Sequence, residues 1–318
     1  MSPPKVVTLT LNPALDLKMV VQAPRLGALN RAQAMEVEPS GKGINVARAL
    51  ARQGIPVRAV APLGGGFGLA IERSLQATPN LELASVKIAG ATRGNFKATD
   101  VETGEVTEFN APGPTLREEE RIRVEAAVLD QLEAGDLVVL SGSLPGGVGP
   151  EVYADLARRL QALGAKVLLD TGGEALRQAL PARPFLVKPN RLEAEELLGW
   201  PIGKEDALRA ARHIQKLGAQ HVVLSLGGEG AVFLSPREAV LAFPPRVRVR
   251  STVGCGDALL AGVVAGILQG WPWQEVARYA TALAAARAAG EGVEFPERDQ
   301  TQALLGGVRL EIPDAGRP

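Results

Sequence analysis

The sequence has few of the residues that build disulfides, zinc sites and histidine-based active sites. One cysteine in 318 residues rules out an intrachain disulfide, and one cysteine with two histidines offers little for a zinc site. His213 and His221 alone also argue against a serine-hydrolase triad. Lys and Arg total 35, and Asp and Glu total 35, so the formal net charge is zero. This balance argues against nucleic-acid binding through a broad basic face and against a polybasic membrane anchor.

A long apolar run is also missing. The least polar segment, Ala258–Gln274, is broken by Gly266, Gly270 and Pro272. It falls short of the roughly 18–20 continuous apolar residues that span a membrane, so it predicts a buried helix. The N-terminal region has only Lys5 before Val6–Leu11 and lacks the pattern of a secretory signal. We therefore expect a cytoplasmic protein.

Short apolar runs alternate with helical patterns over most of the chain. This alternation predicts an α/β fold with a mostly parallel sheet and helices on both faces. Ligands of such folds bind beyond the carboxyl ends of the strands. The predicted strands are Val6–Leu11, Val57–Ala61, Leu137–Leu140, Val167–Asp170, Phe185–Lys188 and His221–Ser225, with a further strand-like region at Val240–Val249. The predicted helices are Asn45–Gln53, Glu118–Leu132, Pro150–Leu163, Arg191–Leu198 and Glu205–Leu217.

Two regions, 14–37 and 90–110, break this alternation. They carry period-2 runs such as Asn95–Val101 and Val106–Asn110, which are typical of antiparallel strands. We expect them to form a small subsidiary sheet inserted into one α/β domain that spans residues 1–318.

The common phosphate-binding and nucleophile signatures are absent. The P-loop pattern fails because Gly43 follows Lys42, and the dinucleotide pattern fails because Val46 stands where its third glycine belongs. Neither Gly-x-Ser-x-Gly nor His-Glu-x-x-His occurs. Nucleophilic and zinc chemistry are therefore disfavoured.

The segment Ser251–Gly262 is the sharpest candidate site. Gly254 and Gly256 allow a tight turn with outward N–H groups just before an apolar helix, whose N-terminus favours an anion. Asp257 lies in the first turn of that helix, where it could act as a general base. The alternative is that Asp257 only caps the helix.

A second candidate loop is Pro39–Ala49. Gly41 and Gly43 flank Lys42 ahead of a helix, so backbone amides and one cation could hold a phosphate. Asn45 offers a donor and an acceptor for a sugar hydroxyl. A solvated lysine in a glycine turn, with Asn45 as a helix cap, is the alternative.

Several weaker strand-end loops accompany these two. Arg93 could pair with a phosphate, although an exposed arginine in a turn is commonly only solvated. Asn190 and Glu193 are three residues apart and could hold a hydrated magnesium ion, although a capping box explains them equally well. The remaining loops are Asn12–Asp16, Ser141–Pro145 and Ser225–Gly230.

Taken together and in this order, these loops resemble the ribokinase-like sugar kinases of the phosphofructokinase-B family, from about Val6 to about Gly292. Gly41–Ala49 and Thr252–Gly262 carry the resemblance most specifically. The chain looks most similar to the subgroup that phosphorylates hexose phosphates. The resemblance implies a three-layer α/β sandwich whose two inserted β regions form a lid over the sugar, which often also makes a homodimer contact.

The resemblance implies ATP-dependent, magnesium-requiring transfer of a phosphoryl group to a ketohexose phosphate. The expected acceptor is fructose 1-phosphate, giving fructose 1,6-bisphosphate, with tagatose 6-phosphate and fructose 6-phosphate as alternatives. Asp257 would take the hydroxyl proton, and the N–H groups of Gly254, Cys255 and Gly256 would stabilise the transferring phosphoryl. An alternative from a different class is a non-catalytic sugar-phosphate-binding regulator, against which the intact Asp257, Gly254, Gly256 and Glu193 argue.

The resemblance also implies roles for the binding residues. Asp16 and Asn45 would bind sugar hydroxyls. The sugar phosphate would be bound by the cations and loop residues Arg31, Gly41, Lys42, Gly43, Arg93, Asn95 and Ser141. The nucleotide site is matched by Lys188, Asn190, Ser225, Gly227, Gly230 and Thr252, and the magnesium-associated pair by Asn190 and Glu193. The sequence departs from the family pattern at Ser40, Gly94, Cys255 and Ala258. Of these, Gly94 is expected to loosen the strand that carries Arg93 and Asn95.

Overall fold

The computed structural model describes residues 4–290, 292 and 294–313. A ten-stranded sheet lies at its centre, in the order β14-β13-β12-β11-β10-β9-β8-β1-β4-β5. All neighbours from β11 to β5 are parallel, whereas β12, β13 and β14 extend one edge in antiparallel fashion. The strands are β1 Val6–Thr10, β4 Val57–Leu63, β5 Leu81–Lys87, β8 Leu137–Ser141, β9 Lys166–Asp170, β10 Leu186–Val187, β11 His221–Ser225, β12 Ala231–Leu234, β13 Ala239–Phe243 and β14 Arg309–Glu311.

Helices cover both faces of this sheet because its strands are apolar on both sides. In β8, Val138 and Leu140 pack into one core, and Leu137 and Val139 pack into the other. The first core is closed by α3 Glu118–Leu129, α4 Val152–Ala162, α5 Gly173–Ala179, α6 Arg191–Leu198 and α7 Ala207–Lys216. The second is closed by α1 Lys42–Arg52, α2 Gly65–Gln76, α8 Cys255–Leu268 and α9 Trp273–Ala289, while α10 Arg298–Leu305 packs against α9. The predicted three-layer α/β sandwich is thereby confirmed.

A separate four-stranded sheet has the order β3-β2-β6-β7 and is called the lid below, after its predicted role. Its strands are β2 Ala14–Val21, β3 Ala32–Ser40, β6 Arg93–Asp100 and β7 Val106–Asn110. The β2–β3 and β6–β7 pairs are antiparallel, and the central β2–β6 pair is parallel. The lid is therefore two hairpins joined side by side, and β3 extends three residues beyond the predicted boundary at 37.

The register of the lid gives its two faces different chemistry. One row across all four strands consists of Val37, Leu17, Phe96 and Phe109. The next row contains Asp16 and Asn95, both buried. Because successive strand side chains point to opposite faces, the polar row faces the protein and the apolar row faces away from it.

Two local predictions differ from the structure, and several elements are not predicted at all. The region Val240–Val249 is a strand only as far as Phe243, because Pro244 and Pro245 cannot donate ladder hydrogen bonds. The predicted helix Ala258–Gln274 ends at Leu268, and α9 begins after Pro272. The sequence patterns do not predict the helices α2 and α5 or the strands β5, β12 and β14. Over the described residues, no helix is long and apolar enough to cross a membrane.

Candidate active site

The carboxyl ends of the parallel strands open into a cleft of about 600 Å³. Strands β9, β10 and β11 deliver residues from their ends, and the N-termini of α1 and α8 close the cleft from the other face. Ten of the residues predicted from the sequence line it: Lys42, Lys188, Asn190, Ser225, Gly227, Gly230, Thr252, Cys255, Gly256 and Asp257. The structure thus brings the two strongest candidate loops to one cavity.

Asp257 lies in the first turn of α8, where Gly254 is the N-cap with φ of 78°. The Asp257 side chain is almost completely buried, and Nδ2 of Asn45 donates a hydrogen bond to its Oδ2 at 2.8 Å. Burial and the nearby charge of Asp170 raise the pKa of Asp257 to about 6. A buried carboxylate with a pKa near neutrality is suited to accept a proton at physiological pH.

The glycines before Asp257 keep the anion-binding turn open. The positive φ of Gly254 is one that residues with a Cβ rarely adopt. A Cβ placed on Gly256 would lie 3.5 Å from Nζ of Lys188, so this ammonium group faces the turn. The turn therefore combines helix N-terminal N–H groups with a lysine, an arrangement that stabilises developing negative charge.

Two lysines and two carboxylates connect the loops of the cleft. Lys42 Nζ lies 2.9 Å from both Asp170 Oδ1 and Glu193 Oε1, and Lys188 Nζ lies 3.2 Å from Asp170 Oδ2. Burial alone would lower the pKa of Lys42, but the two carboxylates outweigh it and raise the pKa above its usual value. Burial would raise the pKa of Asp170, yet Lys188 and Lys42 hold it below the ordinary range. Lys42 and Asp170 are therefore both charged at neutral pH.

Asn190 and Glu193 form a complete capping box at the start of α6. The backbone N–H of Asn190 donates to Glu193 Oε2, and the backbone N–H of Glu193 donates to Asn190 Oδ1, both at 2.9 Å. The capping alternative is therefore present in the structure. Glu193 also holds Lys42 through its other oxygen, so the pair joins the charge network of the cleft.

The polar face of the lid carries a second cluster. Asp16 is 1% exposed; Asn95 Nδ2 donates to its Oδ1 at 2.9 Å and Lys97 Nζ lies 2.8 Å from its Oδ2. Arg93 donates to the carbonyl oxygens of Ala111, at 2.7 Å, and Asn12, at 3.1 Å. These contacts fix the start of β6 against the end of β1, beside the cleft.

Three residues predicted for the sugar site carry a buried polar atom with no hydrogen-bond partner in the described part of the chain. These atoms are Nε of Arg93, Oδ1 of Asn95 and Oγ of Ser141. Buried polar groups are normally paired, so these three atoms are candidates for polar contacts with a ligand. Arg31, in contrast, is exposed one residue before β3.

Gly41 and Gly43 are required by packing as well as by any ligand. A Cβ on Gly41 would lie 2.6 Å from Cγ2 of Thr10, and one on Gly43 would lie 2.5 Å from its Oγ1. The two glycines let α1 begin directly against the end of β1. This close approach places Lys42 and Asn45 at the cleft.

Comparison with known proteins identifies the family. Residues 9–300 match the model of the pfkB family carbohydrate kinases. The chain belongs to this family. It is 38% identical over 309 residues to a 1-phosphofructokinase of Rhodobacter capsulatus, covering 96% of this chain and 98% of that protein. The resemblance inferred from the sequence is thereby confirmed, and the chain is a kinase that transfers phosphate to a sugar hydroxyl.

Solved structures of pfkB kinases share the whole fold. Phosphofructokinase-2 from Escherichia coli in complex with fructose-6-phosphate has a TM-score of 0.88 and 33% identity, covering 95% of this chain and 98% of that one. The tetrameric inhibited form of the same Escherichia coli enzyme gives the same values. The large sheet, the helical layers and the small sheet are therefore those of a pfkB kinase.

Two residues at the departures from the family pattern have a clear place in the structure. Burial raises the pKa of the Cys255 thiol to about 11, so it is a neutral side chain whose backbone N–H remains in the turn. A Cβ on Gly94 would lie 2.7 Å from Cε2 of Phe67, so the aromatic ring fills the space of the missing side chain. The β6 strand is thus packed against Phe67 at Gly94.

Two residues of this pfkB site were not predicted from the sequence. Asp170 ends β9, and Lys97 lies two residues after Asn95 on the same face of β6. A signal existed for each. An acidic residue at the end of a buried strand marks the ligand-binding edge of such a sheet, and period-2 spacing places Lys97 beside Asn95.

Proposed function

We propose that this pfkB kinase transfers the γ-phosphoryl group of ATP to fructose 1-phosphate, giving fructose 1,6-bisphosphate and ADP. The observation that carries the reaction is the pairing of Asp257 with Asn45 at the open glycine turn, beside Lys188. The acceptor is supported by nearly full-length similarity to proteins named 1-phosphofructokinase. A solved relative in complex with fructose-6-phosphate makes that sugar the principal competitor.

The proposed mechanism begins with proton removal. Asp257 takes the proton of the acceptor hydroxyl as its oxygen attacks the γ-phosphorus, and the bond from that phosphorus to ADP breaks. The N–H groups of Gly254, Cys255 and Gly256 stabilise the charge on the transferring phosphoryl together with Lys188. Asn45 keeps Asp257 oriented through its hydrogen bond, and the water-poor surroundings that raise the pKa of Asp257 make it a stronger base than an ordinary aspartate.

Magnesium is proposed as the metal that accompanies ATP. Asn190 and Glu193 offer the oxygen donors that a hard cation prefers, and such an ion usually retains several waters and binds through one or two carboxylates and the phosphates. Both oxygens of Glu193 already accept hydrogen bonds, so this carboxylate suits a hydrated ion better than a dehydrated one. When bound, the metal would neutralise charge on the phosphates.

The lid residues are proposed to recognise the sugar phosphate. Arg93 holds two backbone carbonyls and keeps an unpaired Nε, and Asp16 is aligned by Asn95 and Lys97 for a sugar hydroxyl. Lys42, which is proposed to bind the sugar phosphate, also contacts Asp170 and Glu193 of the cleft. Arg93→Ala should weaken sugar-phosphate binding by about 1.5–3 kcal/mol, the scale of a hydrogen bond to a charged group, with little change in the KM for ATP.

The deciding experiment compares three acceptors at saturating ATP and magnesium. We expect the highest kcat/KM with fructose 1-phosphate, measured beside fructose 6-phosphate and tagatose 6-phosphate. A value tenfold higher for either competitor would overturn the acceptor but keep the kinase. Absence of turnover with all three would contradict the proposed function. Asp257→Asn is the inactive control, and Asp155→Asn, an exposed position on α4, is its matched neutral substitution.

We also infer that the outer face of the lid contacts a second copy of the chain. Met35, Val37, Phe96 and Phe109 are each more than two-fifths exposed and lie on one side of the sheet. A relative is described as a tetramer. Light scattering should give a dimer or larger, and Phe96→Lys with Phe109→Lys should give monomers; a monomeric wild-type protein would refute this contact.

A further inference from the structure

The largest completely buried side chain in the described part of the protein is an arginine. Arg287 lies in the last turn of α9, and its residue surface is 2% exposed. Its Nη2 donates one long hydrogen bond, 3.5 Å, to the carbonyl oxygen of Gly292. Its Nε and Nη1 have no hydrogen-bond partner among the described residues. A buried cation without full pairing is costly, so its presence requires an explanation.

Arg287 lies directly behind the anion-binding turn. A Cβ placed on Gly254 would be 3.5 Å from Nε of Arg287, so the guanidinium approaches the N-cap of α8. The amides of Arg250 and Ser251 both donate to the carbonyl oxygen of Ala288, the residue after Arg287. The chain entering the turn is therefore fastened to the end of the helix that carries the arginine.

The remaining contact of the guanidinium is aromatic. Arg287 stacks over the ring of Phe295, 5.5 Å from its centroid. This ring contributes only a weak attraction and accepts no conventional hydrogen bond. The positive charge is consequently left available to its surroundings, which include the turn at Gly254.

We propose that Arg287 is a positioning residue that supplies a permanent positive charge behind the Gly254–Gly256 turn and so strengthens its hold on the transferring phosphoryl group. The guanidinium acts through the turn and does not touch the substrate. A fixed cation several ångströms from a developing anion, in partly dry surroundings, changes a rate constant by about tenfold or more. This inference rests on the proposed kinase reaction.

The test compares neutral and charged replacements of Arg287. Arg287→Met retains the bulk of the stem and removes the charge, and Arg287→Lys retains the charge and removes the planar group. We expect Arg287→Met to lower kcat by at least about tenfold, with the KM for the sugar phosphate within threefold of the wild-type value. The kcat of Arg287→Lys should stay within about threefold of the wild-type kcat. Equal losses for Met and Lys, or no loss for Met, would overturn the proposal.

Phe295→Leu separates the electrostatic role from a structural one. It removes the stacked ring but keeps the cation, so the proposal expects kcat to stay within about threefold; a loss as large as that of Arg287→Met would indicate a packing role. Arg287→Gln provides a second neutral variant if the Met protein does not fold. Failure of both neutral variants to fold would assign Arg287 to stability alone and overturn the proposal.

A binding measurement keeps this test separate from the proposed function. If the wild-type protein phosphorylates none of the three acceptors, the proposed function fails, and the variants are compared by the ratio of their Kd values for ADP and ATP. Only ATP carries the γ-phosphate that the turn would hold. The preference for ATP should fall in the Met variant and persist in the Lys variant; an unchanged preference in both would contradict a role for Arg287.

Discussion

Replacing Asp257 by asparagine should reduce activity and stabilise the fold at the same time. Asparagine has nearly the same shape, and its carbonyl oxygen can still accept the hydrogen bond from Asn45. It cannot take a proton from the acceptor hydroxyl. Loss of a general base usually costs about 10²–10⁴ in rate, so turnover should fall at least about a hundredfold.

The gain in stability follows from the pKa of Asp257. Burial and Asp170 raise it from 3.8 to about 6, which corresponds to about 3 kcal/mol of cost for keeping the carboxylate ionised in the folded protein. Above pH 6 the folded wild type bears this cost in full. As the pH falls through about 6 towards 4, the folded state binds a proton before the unfolded state does, and the cost disappears. The advantage of asparagine should therefore reach up to about 3 kcal/mol at pH 8 and vanish near pH 4.

Denaturant unfolding without ligands at pH 8 and pH 5 measures this difference. Asp155→Asn, an exposed substitution, serves as the control and should change the free energy of unfolding by less than about 0.5 kcal/mol. A variant that is less stable than the wild type at pH 8 would refute the burial argument. Turnover within severalfold of the wild type would refute the role as base.

Four further perturbations test other parts of the structure. The kcat/KM of the wild type should fall below about pH 6, where Asp257 becomes protonated. Asp170→Asn should shift this fall in kcat/KM to lower pH, because one cause of the raised pKa of Asp257 is removed. An unshifted pH profile would contradict the assignment of Asp257 as the base. Gly94→Val should raise the KM of the sugar phosphate by displacing β6 from Phe67, and adding Phe67→Ala should restore it; kinetics showing no rescue would argue against that contact. Gly262→Ala, whose Cβ would lie 2.5 Å from the α9 backbone, should destabilise the fold by about 1–3 kcal/mol in thermal or denaturant unfolding, and unchanged stability would contradict the close packing.

The sequence predicts the parts of the fold that are encoded locally. Strand β11 is predicted with its observed bounds because a short branched run between helical patterns has one simple interpretation. Helix α2 is missed because it begins with Gly65 and Gly66, residues that locally favour a turn. Its helicity comes from burial of Ile71 and Leu75 in the core, which no local pattern reveals.

The same division applies to the active site. Asp257 and Asn45 were each singled out from their own glycine loops, and the structure joins them by a hydrogen bond. The position of Asp170 at the end of β9 is a local signal for the ligand-binding edge, but its pairing with Lys42, which is 128 residues away in the chain, exists only after folding. Phe67 against Gly94 is a similar case: neither residue carries a signal that points to the other.

Alternating residues of each lid strand form two different surfaces. In β2, Asp16 belongs to the sugar side and Leu17 to the outer side, and β6 repeats this with Asn95 and Phe96. Under the roles proposed for these two faces, point substitutions should change acceptor preference and subunit association independently, whereas inserting or deleting one residue inside a strand would exchange both surfaces at once. During divergence, length changes should accumulate in the turns at 22–31 and 101–105, and the strands themselves should vary by substitution alone.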